Sequence, residues 1–216
     1  MSQQPPNPTA RLETLADGVF AIVMTLLVFN LSLPKDREVT DLAAELAGLW
    51  PNFAAYAISF ALVGIYWVAH QNMYRYVRRT SHELVWLTIL FLAFVSLVPF
   101  SASVLARFHT DPTAVAVYGG NLVLIGLSMA GIWAHACGGR RLVDPDLPAR
   151  AIRYGYARIL TGAAGYAIGT GLGYVSPGLA LAVFAVIPLL YIVPQIQQRW
   201  AARFGMSGVY DPRPPR

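Results

Sequence analysis

Five stretches of this chain run on without a single Asp, Glu, Lys or Arg. They are Gly18–Pro34, Leu46–Tyr74, Leu84–Ala106, Pro112–Gly139 and Ile159–Gln198. A helix crosses the hydrocarbon layer in about 20 apolar residues, and backbone polar groups in lipid must be satisfied within the chain. Runs of this length therefore predict an all-α integral membrane protein. Composition agrees: 56% of residues are hydrophobic and 12% charged, where soluble domains carry about 25% charged residues. The apolar residues do not alternate at period two, which excludes a transmembrane β-barrel.

The last run is 40 residues long, enough for two crossings. Gly171–Gly178, rich in glycine with Ser176 and Pro177, predicts the turn between them. Six transmembrane helices result. Pro51 suits an early helix turn in the second, with an amphipathic lead-in from Asp41. Pro99 predicts a break in the third, and Pro188 and Pro194 predict bends in the sixth. Gly165 and Gly169, four apart, predict close helix approach.

Basic residues orient the chain. Twelve arginines fall at the N-terminus, in the second and fourth connections and in the C-terminal tail, counting Arg158 as the start of the fifth helix and leaving it out. The opposite loops hold Lys35, Arg37 and Arg107. This bias predicts a multi-pass protein of the cell membrane with both termini cytoplasmic. The organisation expected is a disordered tail over 1–10, a six-helix domain over 11–204 and a second disordered tail over 205–216. The net charge of +5 reflects these short clusters and predicts no nucleic-acid partner. Cys137 is a lone cysteine, so there is no internal disulfide.

Asp17 stands at the mouth of the first run, where an ionisable group is expensive and needs a partner. Trp67, His70 and Tyr74 recur at i, i+3 and i+7 near the end of the second helix. An Asp17–His70 contact is the expectation, as a packing clamp or as a proton site. Ile22, Leu26 and Phe29 form one stripe of the first helix, with Thr25 within a turn of it. Such a stripe faces lipid or a partner helix, or it lines a pore; periodicity does not separate the two. Nothing has metal-ligand spacing, and no nucleophile motif, phosphate loop or carboxylate pair is present, so no metal, cofactor or enzymatic activity is expected.

Taken in order, three segments carry a resemblance. Arg11-x-x-x-Leu15-Ala16-Asp17 with the following Gly18–Val28 resembles the Arg-x-x-x-Phe-Ser-Asp signature and first helix of the endosomal/lysosomal potassium channel family, in its single-repeat prokaryotic form. Tyr66–His70 and Trp86–Phe100 are similar to the same family's second and third helices. Leu15-Ala16 departs from Phe-Ser, Thr88 stands where Asn is common, and Phe29 where Leu is usual. The Thr-Val-Gly-Tyr-Gly filter of ordinary potassium channels is absent.

The resemblance implies a homotetramer with helix 1 lining a central pore. It implies constriction rings at Ile22, Leu26 and Phe29, and selectivity support from Thr25. A polar network of Arg11, Asp17, Trp67, His70 and Thr88 would hold helix 1. Potassium ions, membrane lipid and further copies of the chain are the implied partners. The expected function is a potassium-favouring cation channel, with a proton-conducting or proton-coupled transporter using Asp17 and His70 as the alternative.

Overall fold

A computed structural model describes residues 9–32, 41–193, 199, 202 and 203. Helix α1 covers Ala10–Leu26 and tightens into a 3₁₀ turn over Leu27–Asn30. It is followed by α2 Leu42–Gly48, α3 Trp50–Tyr74, α4 His82–Ser96, α5 Val98–Arg107 and α6 Pro112–Cys137. Helices α7 Ala149–Leu172 and α8 Pro177–Ile192 complete the bundle. Of the tail expected over 1–10, only Thr9 and Ala10 are described, and Ala10 already opens α1. Residues 205–216, Lys35, Arg37 and Pro194 lie outside the described residues.

Local signals explain most boundaries. The Asp41 carboxylate caps α2, accepting from the backbone N–H groups of Ala43 and Ala44. The Asp111 carboxylate caps α6 in the same way through Thr113, with Pro112 at the first helical position. Ser81 caps α4 through the Leu84 N–H, and its hydroxyl lies 2.9 Å from His135 Nε2. The third apolar run divides at Leu97, between α4 and α5, because Pro99 has no N–H to continue the ladder. Pro188 lies inside α8 without dividing it.

Among the described residues, four helical runs are long and apolar enough to cross a membrane: Ala10–Asn30, Trp50–Tyr74, His82–Arg107 and Pro112–Arg140. Helices α7 and α8 occupy the places expected for a fifth and a sixth crossing, joined by a turn over Gly173–Ser176. Helix α8 is short, with 16 residues. Helix α7 is long enough, with 24, but carries three arginines early and several glycines late. It begins ten positions before the uncharged run does. Arg158 is therefore well inside it rather than at its start.

The interior is built on α6, whose Tyr118, Leu122, Ile125 and Ile132 are fully buried. Hydroxyl contacts tie it to its neighbours. Ser59 Oγ and the Tyr118 hydroxyl are 2.9 Å apart, and Asn121 donates to Ser101 Oγ at 3.3 Å. Polar side chains of this kind hold helices together where lipid gives no hydrophobic drive. The outward faces remain apolar, with Phe100, Ile168 and Leu189 exposed, as a bilayer requires.

At one end of the bundle the α3–α4 and α6–α7 loops are clipped together. Val77 and Val143 form an isolated antiparallel bridge, and Arg78 Nη2 pairs with Asp144 Oδ2 at 3.0 Å. The Asp146 N–H and the Arg78 guanidinium hold the Asp144 carboxyl below its ordinary range. The stabilisation this represents is present above that ordinary range and fades as pH falls and the carboxyl protonates.

Helices α6 and α7 meet at a pair of small residues, Gly126 and Ala163. A Cβ built on Gly126 would stand 2.8 Å from the Ala163 Cβ, which is fixed to backbone and cannot swing away. Gly126→Leu should therefore cost about 1–3 kcal/mol by overpacking, read as a lower unfolding midpoint in detergent. An unchanged midpoint would contradict this packing.

Candidate ion pathway and its polar supports

Helix α1 has two unlike sides. Leu12, Ala16, Phe20, Val23 and Leu27 recur every three or four residues and are buried against the rest of the chain. On the other side Ile22 is 59%, Leu26 42% and Phe29 73% exposed. Thr25, also exposed, donates its hydroxyl proton to the Ile22 carbonyl at 2.8 Å, a back-bond that Thr makes within its own helix. The residues singled out in the stripe thus share one face, and that face is turned away from the bundle.

Two polar anchors hold the buried side in place. Near the middle of α1, Asp17 Oδ1 accepts from Trp67 Nε1 at 2.8 Å and from Gln71 Nε2 at 2.6 Å. Trp67 and Gln71 are one turn apart on α3, so both reach the same carboxylate. At the C-terminal end of its 3₁₀ turn, Asn30 donates from Nδ2 to the Pro99 carbonyl at 3.2 Å, while its own carbonyl accepts from Asn52 Nδ2 at 2.9 Å. Helix α1 is thereby tied to α3 at mid-length and again at the end of its 3₁₀ turn, where it also meets the start of α5.

The Asp17–His70 contact expected from the sequence does not form. His70 lies 60° around α3 from Trp67 at 100° per residue, away from Gln71, and points inward. Its ring is stacked on Phe91, with centroids 5.5 Å apart and planes 6° from parallel, and on Tyr74 at 4.4 Å. Phe20 of α1 closes the cluster at 6.2 Å. Neither ring nitrogen has a hydrogen-bond partner among the described residues. Beneath the stack, Thr88 donates to the Leu84 carbonyl at 2.7 Å and pairs with the Tyr74 hydroxyl at 2.6 Å. His70 and Thr88 thus belong to a buried aromatic layer, and Asp17 and Trp67 to a separate, more exposed anchor. Arg11 is exposed and enters no ion pair among the described residues.

Gln71, Asn30 and Asn52 were not among the expected site residues. Gln71 was legible as the i+4 neighbour of Trp67. Asn30 and Asn52 gave no signal, because each is a single amide at a helix end whose partner is a distant backbone carbonyl. The described residues contain no group of three His, Cys, Asp or Glu placed to hold a metal ion.

Comparison with known proteins adds to this geometry. Residues 11–99 match the family described as endosomal/lysosomal potassium channel TMEM175. The chain is 35% identical over 194 residues to a potassium channel of Streptomyces collinus, covering 88% of this chain and 94% of that one. A mouse protein named endosomal/lysosomal proton channel TMEM175 is 36% identical over 115 residues, which is 50% of this chain and 23% of its own length. The fold resembles the crystal structure of a lysosomal potassium-selective channel TMEM175 homologue from Chamaesiphon minutus, with a TM-score of 0.76 and 29% identity. That match covers 85% of this chain and 95% of the other.

Asp17→Ala removes both bonds at the first anchor, at about 1 kcal/mol each, and should lower the unfolding midpoint in detergent. His70→Phe removes no hydrogen bond to a described residue and keeps a ring in the stack, so it should change stability by less than about 1 kcal/mol. Equal losses in the two variants would contradict the separation of anchor and stack.

Proposed function

This chain belongs to the TMEM175 family of potassium channels, and we propose that it conducts potassium in preference to other cations past a narrow point formed by α1. The family is one of channels and not of enzymes. The observation that carries the reading is the two-sided character of α1. Its inner stripe is buried in its own subunit, while Ile22, Leu26 and Phe29 stand exposed on the far side.

In a homotetramer with α1 nearest the axis, those three residues become stacked apolar rings. Ile22 forms the narrowest ring, and Thr25 supports selectivity behind it. A small hydrated cation meets a high barrier there, since nothing in an apolar ring replaces its water. Conduction then requires α1 to move, and selectivity is modest because no cage of carbonyls strips the ion. Asp17 and Trp67 act as the hinge-side anchor, His70 and Thr88 as the rigid layer behind it, and Arg11 as a charge at the mouth. Each subunit crosses the cell membrane six times, with α7 and α8 as the last two crossings and both termini cytoplasmic. The Val77–Val143 bridge supports this arrangement, because it joins two arginine-bearing loops at one end of the bundle.

Proton conduction is a second reading, favoured by the names of the vertebrate relatives. A relay from Asp17 to His70 has little geometric support, since the two side chains do not meet and His70 is sealed among rings.

Reconstituted in potassium-loaded liposomes, the purified protein should pass potassium. Ile22→Asn should raise that flux by about tenfold or more, since a polar ring lowers the dewetting barrier by about 1.4 kcal/mol or more. Absence of flux from intact tetramers would refute the reading. A flux carried by protons alone and abolished by His70→Ala would favour the second.

A further inference from the structure

Away from α1, helices α3, α6, α7 and α8 enclose a cavity of about 460 Å³, within the size range of small-molecule sites. Its wall is largely apolar, with Leu62 and Ile65 from α3, Met129 from α6 and Ile159 from α7. Two guanidinium groups line it, those of Arg75 at the end of α3 and Arg158 on α7, and no carboxylate does.

Arg158 is the unusual member. It lies nine residues past Ala149, about 14 Å along the helix axis at 1.5 Å per residue. Its guanidinium carbon sits 5.4 Å from the centre of the Tyr191 ring. Its Nε is buried and has no hydrogen-bond partner among the described residues. A ring face attracts the charge but leaves that N–H unused. A cation at this depth in an apolar setting is expensive unless an anion meets it.

The two halves of the cavity ask for one ligand with two halves. A phosphate diester accepts from guanidinium groups in matched geometry, and an acyl chain covers the apolar wall. A free inorganic anion would satisfy the arginines and leave the wall bare. Basic pockets between transmembrane helices suit anionic headgroups, and the long arginine side chain can reach from its helix position towards the mouth. We infer that this cavity binds an anionic phospholipid, its phosphate held by Arg158 and Arg75 and one acyl chain lying along Leu62, Ile65 and Ile159. No lining residue comes from α1, so the inference is independent of the ion pathway.

Native mass spectrometry of the full chain, offered equal phosphatidylglycerol and phosphatidylcholine in detergent, tests it. Wild type should retain phosphatidylglycerol over phosphatidylcholine by about tenfold, the ratio that 1.4 kcal/mol of binding free energy gives. Arg158→Gln should abolish the preference and Arg158→Lys should keep part of it. Arg79→Gln, which removes an exposed arginine outside the cavity, should change nothing. Equal retention of the two lipids by wild type, or equal loss in the Arg79 and Arg158 variants, would overturn the site. Full displacement by millimolar inorganic phosphate would reassign it to a free anion and overturn the lipid. Should Arg158→Gln fail to run as an intact species on size exclusion, Ile65→Trp fills the apolar half while keeping both charges. It must lower retention, and unchanged retention would overturn the proposal.

Discussion

The placement of α1 rests on one carboxylate. Asp17 accepts from Trp67 and Gln71, and a charged acceptor makes these bonds stronger than neutral ones. With Asn30 tied to Asn52 and Pro99 at the C-terminal end, α1 is a strut held at two points against α3. Between those points only apolar packing restrains it, through Phe20, Val23 and Leu27. A helix pinned by a few bonds at its middle and at one end, and packed elsewhere by smooth side chains, can tilt without losing many interactions. That is the mechanical property a gate formed by this helix would need.

Behind the strut sits a stiffer layer. His70, Phe91 and Tyr74 stack, and Thr88 fixes the Tyr74 hydroxyl. Close-packed rings have few alternative arrangements, so this layer acts as the fixed surface against which Phe20 of α1 rests. Farther out, α6 and α7 approach through Gly126 and Ala163. The same bundle leaves a cavity between α3 and α7, beside which Gly155 and Gly162 let the Trp133 and Tyr191 side chains come close to α7.

Much of this was legible in the residues. The stripe of Ile22, Leu26 and Phe29, the turn between α7 and α8 and the break before Pro99 all follow from local rules of helix geometry. Each depends on neighbours within one or two turns. The partner of Asp17 did not follow. Residues 67, 70 and 71 all lie within a turn of one another, and which of them meets a carboxylate on another helix depends on the rotation of α3 about its axis. Charge content misled at α7, where Arg150, Arg153 and Arg158 marked the helix as starting late, although arginine is a good helix former.

By itself, then, the chain determined that it is a bundle of apolar helices, where most of them begin and end, and which face of α1 is continuous and uncharged. Those properties come from hydrophobic run lengths and from periodicity, both local along the chain. Only the tertiary structure decided that Asp17 binds Trp67 and Gln71 while His70 turns inward, and that Arg158 lies beside a cavity with its Nε unpartnered. Those are matters of how far each helix is rotated and how closely it packs. Rotation and packing are set by contacts between residues twenty to fifty or more positions apart, which no local pattern encodes.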